Sequence, residues 1–153
     1  MKANSLESLE ESLGYTFTDK QLLMTALTHK TYAFEAATPM EYNDRLEYLG
    51  DSILSFIIAE QLYQSNQDFS EGELTRRRSL VVNNNILADV AASLDLGSFL
   101  LLGKGEQKQE GAKNRTNLAN ALEALIGAIY LDSDMENVRA FILGKIYSKQ
   151  YQF

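Results

Sequence analysis

The chain has 153 residues, 45% hydrophobic and 23% charged, which is enough for one domain with a sizeable core. It contains no cysteine, which excludes a disulfide framework and a thiolate metal site; its formal charge of −7 argues at first against a nucleic-acid partner but decides nothing alone, because acids at a metal site are neutralised by the metal and the basic residues are local, "TRRRS" at 75–79 with Lys104, Lys108, Lys113 and Arg115. No signal-peptide run and no apolar stretch of roughly 18 residues occurs, so a soluble, cytoplasmic protein without membrane contact is expected.

Helical periodicity dominates from the start of the chain. A first helix is expected over Leu6–Leu13, followed by a "GYTF" turn, and a second from about Asp19 to Lys30, capped by Thr18 or Asp19. The loop around "EAATPM" holds the only proline, Pro39, and a long apolar helix follows from about Asn43 to Ser65. Ser70 and Glu73 form a capping box that opens "EGELTRRRSLVVN". Asn84 or Asn85 can cap "ILADVAASLDL", and Gly97 suits its C-terminal cap. The polar stretch "GKGEQKQEGAKNRT" reads as a mobile loop. A helix over roughly Thr116–Leu131 comes next, then one capped by Ser133 with Glu136. The expected fold is all-α, a bundle of about seven or more helices around the long one.

Two of these helices carry acids where a core face should be. Asp44, Glu47 and Asp51 fall on one stripe of the long helix, and the same stripe continues into Leu54 and Ile58. In the nearly all-apolar "NLANALEALIGAIYLD", Asn120 and Glu123 share a stripe with Gly127. Gly50 and Gly127 offer points where the two helices can approach closely. The macrodipole accounts for acids in a first turn, which covers Asp44 and partly Glu47. Asp51, among Leu49, Ile53 and Leu54, and Glu123 are not covered by it, and burying either unpaired would cost several kcal/mol. Two readings follow: metal ligands, or buried ion pairs. A metal site built here would have hard oxygen ligands, since His29 is the only histidine, and would suit Mg²⁺ or Mn²⁺.

"NDRLEYLGDSIL" resembles the signature helix of the ribonuclease III family. "LGYTFTDKQLLMTALTHKTY", "EGELTRRRSLVVN", "LGSFLLLGKGEQK" and "LANALEALIGAIYLD" agree with that family in order, so the resemblance spans residues 6 to about 147. It implies an all-α endonuclease domain that forms a homodimer and cuts double-stranded RNA. The products would carry 5′-phosphates and short 3′ overhangs, in RNA processing such as that of ribosomal RNA. Glu47, Asp51 and Glu123 match the metal-binding carboxylates of the family, with Asp51 and Glu123 as the catalytic pair. Asp44 matches a supporting glutamate, one methylene shorter here. Glu71 and Glu106 match two further acids near the RNA-binding valley, and Arg76 and Arg78 match basic residues that could contact phosphates, unless they form a solvated basic face. Tyr48 matches an aromatic that inserts into the partner subunit, with simple core packing as the alternative. Leu46, Leu49, Ile53 and Phe56 add apolar surface that one small domain need not cover.

Three features depart from the family pattern. Asn120 stands where aspartate is usual; its amide can still ligate Mg²⁺ but carries no charge. Arg77 occupies a position usually apolar. The chain also ends without the basic double-stranded-RNA-binding domain of the bacterial enzymes, which suggests an excised catalytic domain or a short stand-alone form. Asn120 and Asp44 leave room for a catalytically silent dimerisation or RNA-binding domain, whereas Glu47, Asp51 and Glu123 favour an Mg²⁺-dependent enzyme. His29 is expected to be structural.

Overall fold

A computed structural model describes residues 5–147, and among these the regular structure is almost entirely helical. The helices are α1 Leu6–Leu13, α2 Lys20–Leu27, α3 Lys30–Glu35, α4 Asp44–Ser65, α5 Glu71–Val82, α6 Asn84–Ser93, α7 Lys104–Lys108, α8 Arg115–Asp132 and α9 Met135–Ile142. A helix that is apolar on every side must be enclosed on every side. α8 obeys this: from Asn117 to Ile129 only Asn120 escapes full burial. α4, α2, α6 and α9 pack around it, with α4 its main partner.

The crossing of α4 and α8 is set by the two expected glycines. A Cβ on Gly50 would overlap the Glu123 carbonyl, and one on Gly127 would stand 2.5 Å from the Leu46 carbonyl oxygen. Backbone therefore rests on backbone, a contact that only glycine permits. On α4 the inward side contributes Leu46, Ile53, Leu54, Ile57, Ile58 and Leu62 to the core.

The helix ends differ from the sequence reading in physically explicable ways. The second helix stops at Leu27, because Thr28 turns extended and pairs with Leu101. The His29 N–H donates to the Leu101 carbonyl (2.9 Å), and the Leu101 N–H to that of Leu27 (2.9 Å). His29 then caps α3 by accepting from the Thr31 N–H, so its role is structural. Asn83, not Asn84 or Asn85, caps α6 through the Ile86 N–H, since one extended residue both closes α5 and opens α6. Gly97 does not cap α6: Asp95 takes the left-handed position at φ 53°, and Gly97 is small because a Cβ would overlap the Ala112 carbonyl. Asp134 rather than Ser133 caps α9, the Ser133 hydroxyl being used to donate back to Ile129 (2.6 Å). Ser70 does cap α5 through the Glu73 N–H, but Glu73 turns its carboxylate to Arg76 and Arg77 instead of completing a box.

Two buried or shielded acids fix the N-terminal helices to this frame. Glu10, 5% exposed, accepts from the Phe17 N–H (2.6 Å) and from Lys20 (2.8 Å). Asp132, at the end of α8, accepts from the Tyr15 hydroxyl, the Thr18 N–H and the Asp19 N–H. Those bonds hold its carboxyl below the ordinary range against the opposing effect of burial, while the Tyr15 phenol is pushed up by its own burial first and then by its bond to Asp132.

Candidate active site

The start of α4 is aimed by Asn43. Its backbone N–H donates to Thr28 (2.9 Å) and its side-chain amide to Ala26 (3.3 Å), so this buried residue anchors the helix to α2 instead of capping it. The acidic stripe then runs from solvent into the protein. Asp44 and Asp51 are exposed, Glu47 is half-buried, and Leu54 and Ile58 are fully buried. Asp51 is therefore not enclosed among Leu49, Ile53 and Leu54 as the sequence suggested. The close packing at Gly50 keeps α4 against α8 while leaving the adjacent Asp51 at an open edge.

Glu123 is the buried member, only 6% exposed in the middle of α8. Its carboxyl is pushed up to about 8, first by burial, then by a hydrogen bond to Asp51 and by the charges of Asp51 and Glu47. The proton stays on Glu123, because a second charge beside Asp51 in that buried position is costly. Glu47 is raised as well, by burial first and then by Asp44 and Asp51, with Lys30 pulling the other way. Asp44, Glu47, Asp51 and Glu123 thus form one chain of electrostatically coupled acids where α4 meets α8. The ion-pair reading fails for Glu123, whose charged neighbours are acids.

Hard oxygen donors with excess negative charge suit Mg²⁺ or Mn²⁺, and a raised carboxyl pKa marks where a cation would replace a proton. Among the described residues, however, no three His, Cys, Asp or Glu side chains converge as a ready-made cage. Asp51 and Glu123 are in contact and Glu47 flanks them. Asn120, half-buried one turn before Glu123, is the remaining oxygen donor on that face of α8.

The other expected residues sit apart from this pair. Glu71 and Arg78 line a second groove with Phe56, Tyr63 and Leu74, between α4 and α5. Arg76 is exposed and pairs with Glu73 (2.8 Å), which holds the Glu73 carboxyl down at about 2. Arg77 also binds Glu73 (2.7 Å) and lies 4.7 Å over the Phe69 ring, so its stem and charge both have uses at a position where sequence offered none.

The expected mobile loop is ordered. It holds α7 and a tight turn at Gly111–Lys113, and Glu106 accepts a hydrogen bond there from Asn117 on α8 (2.9 Å). Asn117 was missed by sequence reasoning. Its only signal was an amide at the head of an apolar run.

On the outer side of α4, Tyr48 (79% exposed), Phe56 and Tyr63 are uncovered, so Tyr48 does not pack into its own core. Phe56 is left open as expected, but Leu46 and Ile53 are buried within the domain, on the side facing α8.

Comparison with known proteins fits this arrangement. A family model described as Ribonuclease-III-like matches residues 19–150. Ribonuclease 3 of Buchnera aphidicola is 47% identical over 146 residues, covering 95% of this chain and 62% of that protein. Ribonuclease 3 of Vibrio cholerae is 46% identical over 138 residues, covering 90% of this chain and 59% of that protein. The chain thus spans about three fifths of the length of these curated relatives. A solved nuclease domain of ribonuclease III from Campylobacter jejuni, described for structural flexibility in a region involved in dimer formation, superposes with a TM-score of 0.89. It is 38% identical, with 95% of this chain and 99% of that one covered. A second crystal structure of that nuclease domain gives 0.89 at 37% identity, covering 98% and 99%. With its coupled acids where α4 meets α8 and its match over residues 19–150, the chain belongs to the ribonuclease III family.

Proposed function

We propose that this chain is a metal-dependent endoribonuclease that hydrolyses phosphodiester bonds of double-stranded RNA, leaving 5′-phosphates and short 3′ overhangs. The observation that carries the reading is the buried Glu123 carboxyl, in contact with Asp51 and raised to about 8 by burial and by neighbouring acids. A site that holds a proton against so much negative charge is a site for a cation. Asp51 and Glu123 would hold Mg²⁺, or Mn²⁺ in its place, with Glu47 and the Asn120 amide oxygen beside them. When bound, Mg²⁺ supplies the positive charge that activates water and stabilises the leaving oxygen of the phosphodiester.

The side chains themselves do the positioning. Glu123 would give up its proton on binding a cation, and its enclosure by α8 and α4 shields its charge from water. Asp51, at the open edge, would offer its carboxylate from the solvent side. Asp44 adds charge at the mouth and helps keep Glu47 raised. Arg76 and Arg78, on α5, are the side chains of this chain suited to phosphate oxygens of a bound duplex. The exposed Tyr48, Phe56 and Tyr63 fit burial against a second copy, which would set two clefts opposite the two strands. A second reading, a silent domain kept for dimerisation or RNA binding, rests on Asn120, which removes one charge from the cleft. A time course on long duplex RNA in Mg²⁺ and in EDTA, with the Glu123→Gln variant alongside, separates the two readings. Cleavage by the parent in Mg²⁺ alone supports the enzyme; no cleavage in Mg²⁺ or Mn²⁺ supports the silent domain.

A further inference from the structure

Residues 101–113 form a strap tied down at both ends. At its start the Leu101 backbone pairs with Leu27 and His29. The Gly103 N–H donates to the Thr31 hydroxyl (2.9 Å), and the Lys104 N–H to both oxygens of Glu35 (3.1 Å each). Toward its far end one side chain of α8 adds two bonds. Asn117, 9% exposed on α8, donates from its amide nitrogen to Glu106 Oε1 (2.9 Å) and to the Gly111 carbonyl (3.1 Å). A primary amide has two N–H donors, and both are used on the strap.

The strap is shaped for this contact. Glu110 adopts φ 58°, and a Cβ on Gly111 would stand 2.6 Å from Glu106 Cγ and 3.1 Å from its Oε1. Glycine at 111 is thus what allows the Glu106 side chain to lie back toward α8. Asn117 lies one turn before Asn120 and about two before Glu123 on α8, so the strap is fixed to the turns of the helix that lead to the acids.

We propose that Asn117 is a positioning residue for the reaction: its amide fixes Glu106, and with it the strap, against the turn of α8 that leads into Asn120 and Glu123. This role rests on the nuclease reading given above. The amide does not touch the reacting groups; it acts through the strap. The contact is polar, buried and two-pronged, so its loss should loosen the strap while the α4–α8 core stays closed.

The test uses Asn117→Asp, which keeps the shape but sets a second carboxylate against Glu106. Its companion is the double variant Asn117→Asp/Glu106→Gln, in which the glutamine amide can donate to the new aspartate. Amide hydrogen exchange is followed at Gln107, Glu110, Lys113 and Asn114, whose backbone bonds define the strap. Steady-state cleavage of duplex RNA supplies kcat and KM. In Asn117→Asp, strap exchange should rise roughly tenfold or more while α4 and α8 amides keep their protection. Its kcat should fall about tenfold or more with KM little changed, and the double variant should recover the part of the strap protection that the 106–117 bond supplies, the bond to the Gly111 carbonyl staying lost.

Unchanged strap exchange would overturn the proposal, as would loosening that spreads through α4 and α8 and is not rescued. A loosened strap with unaltered kcat would overturn the role in the reaction alone. A parent chain that cuts no RNA would overturn the nuclease reading and this role with it, while exchange would still show whether Asn117 holds the strap.

Discussion

Replacing Glu123 by glutamine should stabilise the metal-free protein, and should do so more strongly as pH rises. The unfolded chain releases this proton near the ordinary carboxylate value of 4.5, whereas the folded protein keeps it until about 8. Between those values unfolding releases a proton, so raising the pH favours the unfolded state by about 1.4 kcal/mol per pH unit. The stability associated with Glu123 is complete below 4.5 and is lost progressively up to about 8. At pH 7 the accumulated loss is about 3 kcal/mol, which a neutral glutamine of the same shape does not suffer. For a domain of this size that corresponds to a rise in melting temperature of about 6–12 °C. The assay is urea unfolding in EDTA at pH 5, 6, 7 and 8 for both proteins. The two curves should lie close at pH 5 and diverge towards pH 8. Glu47, raised for similar reasons, is present in both proteins and so largely drops out of the difference. Parallel pH dependences, or a variant less stable than the parent at pH 7, would refute the idea that Glu123 is held protonated by burial and neighbouring acids.

Saturating Mg²⁺ at about 100 times its Kd should stabilise the parent by roughly 2.7 kcal/mol, seen as a higher melting temperature, and Glu123→Gln should lose most of that gain. Gly50→Ala should cost about 3 kcal/mol or more in urea unfolding, since its Cβ would overlap the Glu123 carbonyl and force α4 away from α8. Light scattering at micromolar concentration should give about twice the 17.2 kDa chain mass, and Tyr48→Ala, at a 79%-exposed position, should weaken association without lowering monomer stability.

Much of the fold was legible because periodicity and glycine placement are local signals with a direct structural consequence. The all-apolar run after Asn117 had to be enclosed, and Gly50 and Gly127 had to mark a close crossing. What escaped the sequence depended on partners remote in the chain. Thr28 ends a helix because Leu101 pairs with it across more than seventy residues. The strap looked like a mobile loop because its ties, Thr31, Glu35 and Asn117, belong to other elements.

The site shows the same division. Its acids were visible as a stripe, and their mutual coupling followed once α4 met α8. That Asp51 lies at the open edge while Glu123 is enclosed could not be read from spacing, because both sit among apolar neighbours in the chain. Arg77 was opaque until Phe69 and Glu73 were seen around it.

The proposed function makes Asp51 and Glu123 the heart of a metal-dependent nuclease site despite the amide at Asn120. A single-turnover time course on duplex RNA in Mg²⁺, comparing the parent, Glu123→Gln and Asn120→Asp, tests it most directly. The parent should cut, and Glu123→Gln should be slower by at least about a hundredfold, roughly 2.7 kcal/mol of barrier. Asn120→Asp, which restores one negative charge beside the pair, should cut at least as fast as the parent. Cleavage by Glu123→Gln at the parent rate, or cleavage by Asn120→Asp alone, would contradict it.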